Sequence, residues 1–340
     1  MVSAPPAVPG GRVLQLSDRR VIEIVDRPVP EPGPGEVVVN VTALGLCGTD
    51  LHLFDGRGNE YPWVVGHDAA GVVATVGSEV SGLAEGQRVA VEPLLSCGQC
   101  PACERGKTQL CAVGGYLGML GPGMAAQYVA LPAVQVIPLP DSVSDLAATA
   151  LEPLAVALHT LRRVAPLMSE PGPAIVIGGG PLGLLQAQVM EHFGWECSVV
   201  EPQARRRELG SSLGLTTLTP EEADALEDDG RTRLIVETSA SGPGVDQSER
   251  VATPGSVIAV VGRGPHSVTP PAVLLKELSI LGVKGGPGLY PASVDLVAQG
   301  VVDPTAVITD TFDWEQAQQA FTDTVEQPGT IVRSALNGDW

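Results

Sequence analysis

The stretch AIVIGGGPLGLLQAQVMEHFG, residues 174–194, decides the fold. An apolar run, Ala174–Ile177, leads into Gly178, Gly180 and Gly183 in the G-x-G-x-x-G spacing. Pro181 and Leu182 then open a helix whose apolar positions include Leu182, Leu185, Val189 and Phe193. Glycine lets the backbone approach a pyrophosphate, and a helix N-terminus offers it free N–H groups and a positive dipole. A glycine triplet alone is equally at home in an empty tight turn. Strand–turn–helix order makes it the signature of a dinucleotide-binding βαβ unit. The next apolar run, Cys197–Val200, is followed by Glu201, eighteen residues after Gly183. A carboxylate there accepts the ribose hydroxyls and repels a 2′-phosphate, which favours NAD. Arg205, Arg206 and Arg207 follow directly. They either decorate an exposed helix start or hold the extra phosphate of NADP, Arg206 being the cofactor-binding candidate among them.

Outward from this unit, apolar runs alternate with helix-like segments. Leu234–Glu237, Val257–Val261 and Ile280–Val283 join Ala174–Ile177 and Cys197–Val200 as strand candidates. Continuous apolar strands separated by helices predict an α/β domain with a doubly wound parallel sheet, covered on both faces. The acidic run Glu221–Gly230 reads as a solvated helix and turn. The first third has another texture: short β-type runs at Arg12–Leu16, Val21–Val25, Glu36–Ala43, Ala70–Val76 and Arg88–Val91, punctuated by Gly and Pro. Pro28–Gly35 is too proline-dense for helix or central strand. Leu146–Leu161 reads as one helix between the two textures, Trp314–Val325 as another helix, and Thr330–Ser334 as a closing strand. A chain of 340 residues accommodates two domains.

Two constellations carry metal chemistry. In CGQCPACERGKTQLC, residues 97–111, Cys97, Cys100 and Cys103 recur every third residue and Cys111 closes the group. Four thiolates at such spacing surround a Zn²⁺ tetrahedrally without long-range folding. Disulfides or inert buried thiols are the alternative, and triplet spacing is awkward for pairing neighbours. The second group is Cys47, Thr49, Asp50 and His52 in GLCGTDLH, with Gly66, His67 and Asp68 in VVGHDAAG. A thiolate and an imidazole some twenty residues apart can share a catalytic zinc with an open position. Taken singly, Cys47 is a small buried hydrophobe and His67 a hydrogen-bonded core histidine.

Composition narrows the partners. With 39 acidic and 20 basic side chains the net charge is −19, which disfavours nucleic acid and anionic membrane. No apolar run is long enough to span a bilayer, and MVSAPPAVPGG does not read as a signal peptide. Only Cys197 lacks a metal reading, usage that fits a reducing, cytoplasmic compartment.

Together these motifs, in this order, resemble the zinc-dependent medium-chain alcohol dehydrogenases, and most closely their polyol (sorbitol) and threonine dehydrogenase branch. The resemblance covers nearly the whole chain. It implies a GroES-like β-rich catalytic domain over 1–155 and 302–340, with a structural zinc lobe at about 93–113. A Rossmann NAD(P)-binding domain is expected over 156–301, so the tail returns to the first domain. Position by position, Cys47 and His67 correspond to zinc ligands, and Glu152 to a glutamate that ligates or approaches the metal. Thr49 corresponds to the hydroxyl that takes the substrate proton, His52 to the base that passes it on, and Asp50 to a carboxylate steadying His67. Asp68 departs from the usual glutamate and, one methylene shorter, is the weaker ligand candidate. For Glu152 the alternative is a helix N-terminal charge before Pro153. The implied cofactors are two zincs per chain, one catalytic and one structural, with NAD or NADP. The implied reaction is hydride transfer between a secondary alcohol and its ketone, in a homodimer or homotetramer paired through Ile280–Val283 and Gly285–Gly288. Phe54, Tyr61, Trp63, Tyr116 and Leu117 are candidate pocket residues. An NADP-preferring ketone reductase and a non-catalytic NAD(H)-binding sensor are the competing readings.

Overall fold

The computed structural model describes residues 7–58, 60–168, 170–226, 231–264, 270–338 and 340. The chain divides into two compact units, 1–152 with 290–340, and 153–289. Against the expected 156–301, the helix Tyr290–Ala298 groups with the first unit. Its leading side chain is buried there, in the electrostatic field of Glu152 and Asp68.

The first unit is built on a nine-stranded sheet. Its main path runs Val21–Arg27, Val8–Asp18, Ala126–Pro132, Glu36–Gly45, Asp68–Val76, Arg88–Val91, Val136–Pro138, all antiparallel. The strands expected in the first third are present, Arg88–Val91 with the expected bounds and the other four extended by a few residues. Pro28–Gly35 lies outside helix and strand. The last strand, Ser334–Asn337, pairs antiparallel with Glu36–Gly45 and parallel with Asp310–Phe312. It starts where the expected Thr330–Ser334 ends. The N–H groups of Thr330 and Ile331 are taken by the Gln327 carbonyl, so the chain is still turning there. Trp314–Gln316 is a short 3₁₀ turn feeding the helix Ala317–Glu326. Beneath the sheet Phe54 meets Phe321 at 5.3 Å, and the closing Trp340 stacks on Trp314 at 4.0 Å.

The expected helix Leu146–Leu161 is two helices, Asp145–Ala148 and Leu151–Val164. Pro153 explains the break: it has no N–H for the carbonyl four residues back, and its ring crowds that position. That carbonyl belongs to Thr149, which is thereby freed from the helix ladder.

The second unit is a six-stranded parallel sheet in the order Thr216–Leu218, Glu196–Val200, Pro173–Ile177, Leu234–Glu237, Val257–Val260, Ser279–Gly282. In chain order this is 3-2-1-4-5-6, the dinucleotide-binding topology. Ile175, Ile177, Val200, Ile235 and Ile258 are buried in its core. Of the acidic run, Pro220–Asp224 is helical; residues 227–230 lie outside the described residues. Among the described residues no helix is long and apolar enough to cross a membrane.

Candidate functional site

Strand pairing assembles the first cluster. Gly45, near the end of Glu36–Gly45, stands opposite Asp68 at the start of Asp68–Val76. Residues just beyond those ends, Cys47 and His67, therefore come close. One ligand atom from each of Cys47, His67 and Asp68 lies within 4.8 Å of the others. Cys47 also caps the helix Gly48–Phe54, and Asp50 in its first turn accepts the Cys47 N–H at 3.0 Å. The other Asp50 oxygen accepts the Gly66 N–H at 3.0 Å and stands 3.6 Å from His67 Nδ1. Asp50 thus ties the cysteine segment to the histidine segment through these two N–H groups, with its charge beside one imidazole nitrogen. Nε2 is left facing the cluster, 3.5 Å from the Thr49 hydroxyl and 3.9 Å from Asp68 Oδ1.

The electrostatics suit a cation. Burial opposes charge on His67, but Asp50, Asp68 and Cys47 outweigh it and hold the imidazole well above its ordinary value. Asp68 is buried, and its Oδ1 has no hydrogen-bond partner. A buried carboxylate oxygen without a partner is costly, and a divalent ion at this point would satisfy it. Sulfur, imidazole and carboxylate are a zinc donor set.

Glu152, expected as a ligand ahead of Asp68, is not in the close group. It lies in the first turn of Leu151–Val164, where burial, then the Asp68 charge, push its carboxyl up to about 7. The Tyr116 hydroxyl interacts with it, and the Tyr116 ring meets the His67 ring edge-on at 6.0 Å. His52 is exposed on the Thr49 helix, three residues on and so on the same face. Of the five expected pocket residues, Tyr116 borders the cluster. Phe54 and Leu117 are core, Tyr61 donates to the Leu53 carbonyl, and Trp63 to that of Gly118.

Sequence reading missed Arg333. Its guanidinium is buried and donates to Asp68 Oδ2 at 2.6 Å and to the Thr149 carbonyl at 2.8 Å. An arginine inside the apolar run IVRSAL was the available signal, because buried arginines need an anionic partner.

The second cluster is local. Cys97, Cys100, Cys103 and Cys111 bring their sulfurs within 4.8 Å of one another. Two pairs, Cys100–Cys103 and Cys97–Cys111, stand at 3.5 Å. That is far beyond the ~2.05 Å of a disulfide, and close to the ~3.8 Å edge of a tetrahedron with ~2.3 Å Zn–S bonds. Backbone N–H donation from Cys103 draws the Cys100 thiol down to about 6, toward the thiolate a metal binds. A hairpin, Leu94–Leu95 with Gly115–Tyr116, closes the lobe.

In the second unit Gly178 adopts φ +102°, and a Cβ on Gly183 would lie 1.8 Å from the Gly178 carbonyl oxygen. Only glycine fits either position. Gly180 caps the helix Pro181–His192, with Pro181 and Leu182 in its first turn, leaving an open N-terminus suited to a pyrophosphate. Phe193, expected on the apolar face, is past the helix end and exposed. Glu201 is buried at the end of Glu196–Val200 and accepts the N–H groups of Gly179 at 2.8 Å and Gln203 at 2.9 Å. Arg206 lies 3.9 Å from Glu201, Arg205 pairs with Glu208, and Arg207 donates to the carbonyls of Glu201 and Pro202.

Comparison with known proteins gives the family. Residues 33–141 match the Alcohol dehydrogenase GroES-like domain, and residues 181–299 match the Zinc-binding dehydrogenase family. The chain is 33% identical to sorbitol dehydrogenase of Bacillus subtilis over 90% of its own length and 91% of that protein. It superposes with a TM-score of 0.89 on the alcohol dehydrogenase RspB of Escherichia coli CFT073 complexed with NADH, at 27% identity, covering 96% and 98% of the two chains. A zinc-binding dehydrogenase from Sinorhizobium meliloti bound to NADP gives 0.86 at 27% identity, with the same coverage. With a GroES-like first unit and a Rossmann second unit, the chain belongs to the zinc-dependent medium-chain alcohol dehydrogenases, in their polyol branch, and is an NAD(P)-linked enzyme of that family.

Proposed function

We propose that the chain interconverts a secondary alcohol of the polyol, cyclitol or amino-alcohol class with its ketone, using NAD and two zinc ions per chain. The observation that carries this reading is the approach of Cys47, His67 and Asp68 to within 4.8 Å, with Asp68 Oδ1 unpartnered. The sorbitol dehydrogenase relative supports the polyol class. Zinc held at this group would supply Lewis acidity toward the substrate oxygen, and a bound nicotinamide would supply the hydride chemistry. Cys47, His67 and Asp68 would hold the metal, and Glu152, coupled in charge to Asp68 and His67, would respond to it. The Asp50 carboxylate, 3.6 Å from Nδ1, would attract that side of the imidazole and leave Nε2 for the metal. Thr49 accepts the substrate proton, and His52, exposed one helical turn on, hands it to solvent. Cys97, Cys100, Cys103 and Cys111 would hold the second zinc, in a structural role.

Gly178, Gly180, Pro181, Leu182 and Gly183 cradle the pyrophosphate, and Glu201 selects NAD. Arg206 beside Glu201, with its Nε unpartnered, favours a second reading in which NADP is used. The edge strand Ser279–Gly282 and exposed Leu274 and Leu275 on the helix before it support a homodimer or homotetramer. Six unpaired cysteines accord with a cytoplasmic setting. Polyols, cyclitols, amino-alcohols and their ketones, assayed with NAD(H) and NADP(H), test the proposal. The expected result is zinc-dependent turnover of at least one such pair with NAD favoured, and Glu201→Ala eroding that preference. Full activity in protein stripped of metal would refute it.

A further inference from the structure

We infer that Arg333 is a positioning residue for the third metal ligand, holding Asp68 by one oxygen so that the other points at Cys47 and His67. The inference rests on the proposed metal site and extends it to the C-terminal strand. Arg333 Nη2 grips Asp68 Oδ2 at 2.6 Å, while Oδ1 stays unpartnered 3.9 Å from His67 Nε2. One carboxylate oxygen is therefore committed to the clamp, and one is left for the ion. An aspartate reaches less far than a glutamate, so its orientation has to be fixed from behind.

Two independent features of the sequence make room for the clamp. A Cβ at Gly45 would lie 2.3 Å from Arg333 Nη2, so the strand facing the guanidinium is glycine where it must be. Pro153 frees the Thr149 carbonyl from the helix ladder, and Arg333 donates to that carbonyl at 2.8 Å. Arg333 itself is delivered by the strand Ser334–Asn337, whose Ala335 pairs with Gly45. Gly45 in turn pairs with Asp68. The final strand, the clamp and the ligand thus form one row across the sheet, and metal loading depends on the docking of that strand.

The test is zinc affinity of the full chain by chelator competition, read together with zinc per chain. R333M is expected to hold one of the two zincs about 10–100-fold more weakly, the usual cost of losing a partner behind a ligand. The lobe zinc should be unaffected, and R333K should recover part of the loss. G45A should weaken the same zinc, because its methyl displaces the guanidinium, and it keeps the test alive if R333M does not fold. The double variant R333M/D68N should be no weaker than D68N, since the arginine acts through the aspartate. Wild-type affinity for both zincs in R333M or G45A, or fully additive losses in the double variant, would overturn the inference. A wild-type chain that binds zinc only in the lobe would overturn the proposed site along with it.

Discussion

Cys97, Cys100, Cys103 and Cys111 come from one fifteen-residue stretch, whereas Cys47, His67 and Asp68 arrive from the ends of two strands. The lobe needs only its own loop and a metal to hold its shape. The second cluster needs a sheet in register, a helix cap from Asp50 and an arginine from 265 residues down the chain. Two clusters of similar donors therefore have different dependences. In the lobe four sulfurs stand within 4.8 Å of one another, enough to close a tetrahedral sphere around the structural zinc proposed there. The strand-end cluster offers three donors on a scaffold already in place, so the zinc proposed there would keep a position open for chemistry.

The largest expected effect separates the two in activity. Cys47→Ala or His67→Ala should lower kcat/KM by about three orders of magnitude or more, since Lewis-acid stabilisation amounts to several kcal/mol. Thermal stability should change far less, and the lobe zinc should be retained. Near-normal turnover in either variant would remove the distinction. Next in size, Cys100→Ala should lower stability well beyond the ~1 kcal/mol of an ordinary substitution and release one zinc per chain. Calorimetry with metal analysis checks this, and an unchanged melting temperature would make the lobe dispensable.

The smallest effect is in pH. Glu152, held at about 7, and His67, held above its ordinary value, both bind protons more tightly folded than unfolded. Each therefore stabilises the metal-free chain at low pH, and that contribution fades as pH rises through its folded value. Zinc takes the place of the His67 proton, so the stability gained on adding zinc should grow between about pH 5 and 8. Buried His159, whose neutral ring accepts from Arg162 and is lowered to about 4, works the other way. It destabilises the fold as pH falls from its ordinary value toward 4. It does so with or without zinc, and cancels in the difference. A zinc-dependent melting shift that is flat or shrinks with pH would contradict the assignment.

The same contrast explains what was legible in the sequence. The lobe and the glycine triplet are local motifs, so the cysteine group and the Gly178–Gly183 turn could be read directly from spacing. The parallel strands were equally readable, because strands covered on both faces are continuous apolar runs. Cys47 and His67 were visible only through the order of motifs along the chain. Arg333 and the closer approach of Asp68 than of Glu152 to Cys47 and His67 were not visible. Both follow from strand register and from the helix break at Pro153, which set distances that no spacing encodes. Leu146–Leu161 looked continuous because its apolar pattern runs through the break, while the backbone constraint of one proline divides it.

The most direct test is an anomalous difference map at the zinc absorption edge from crystals of the zinc-loaded enzyme. Two peaks per chain are expected, one inside the four sulfurs of the lobe and one bounded by Cys47, His67 and Asp68. A single peak in the lobe, with the second position empty at full zinc supply, would contradict the two-zinc assignment.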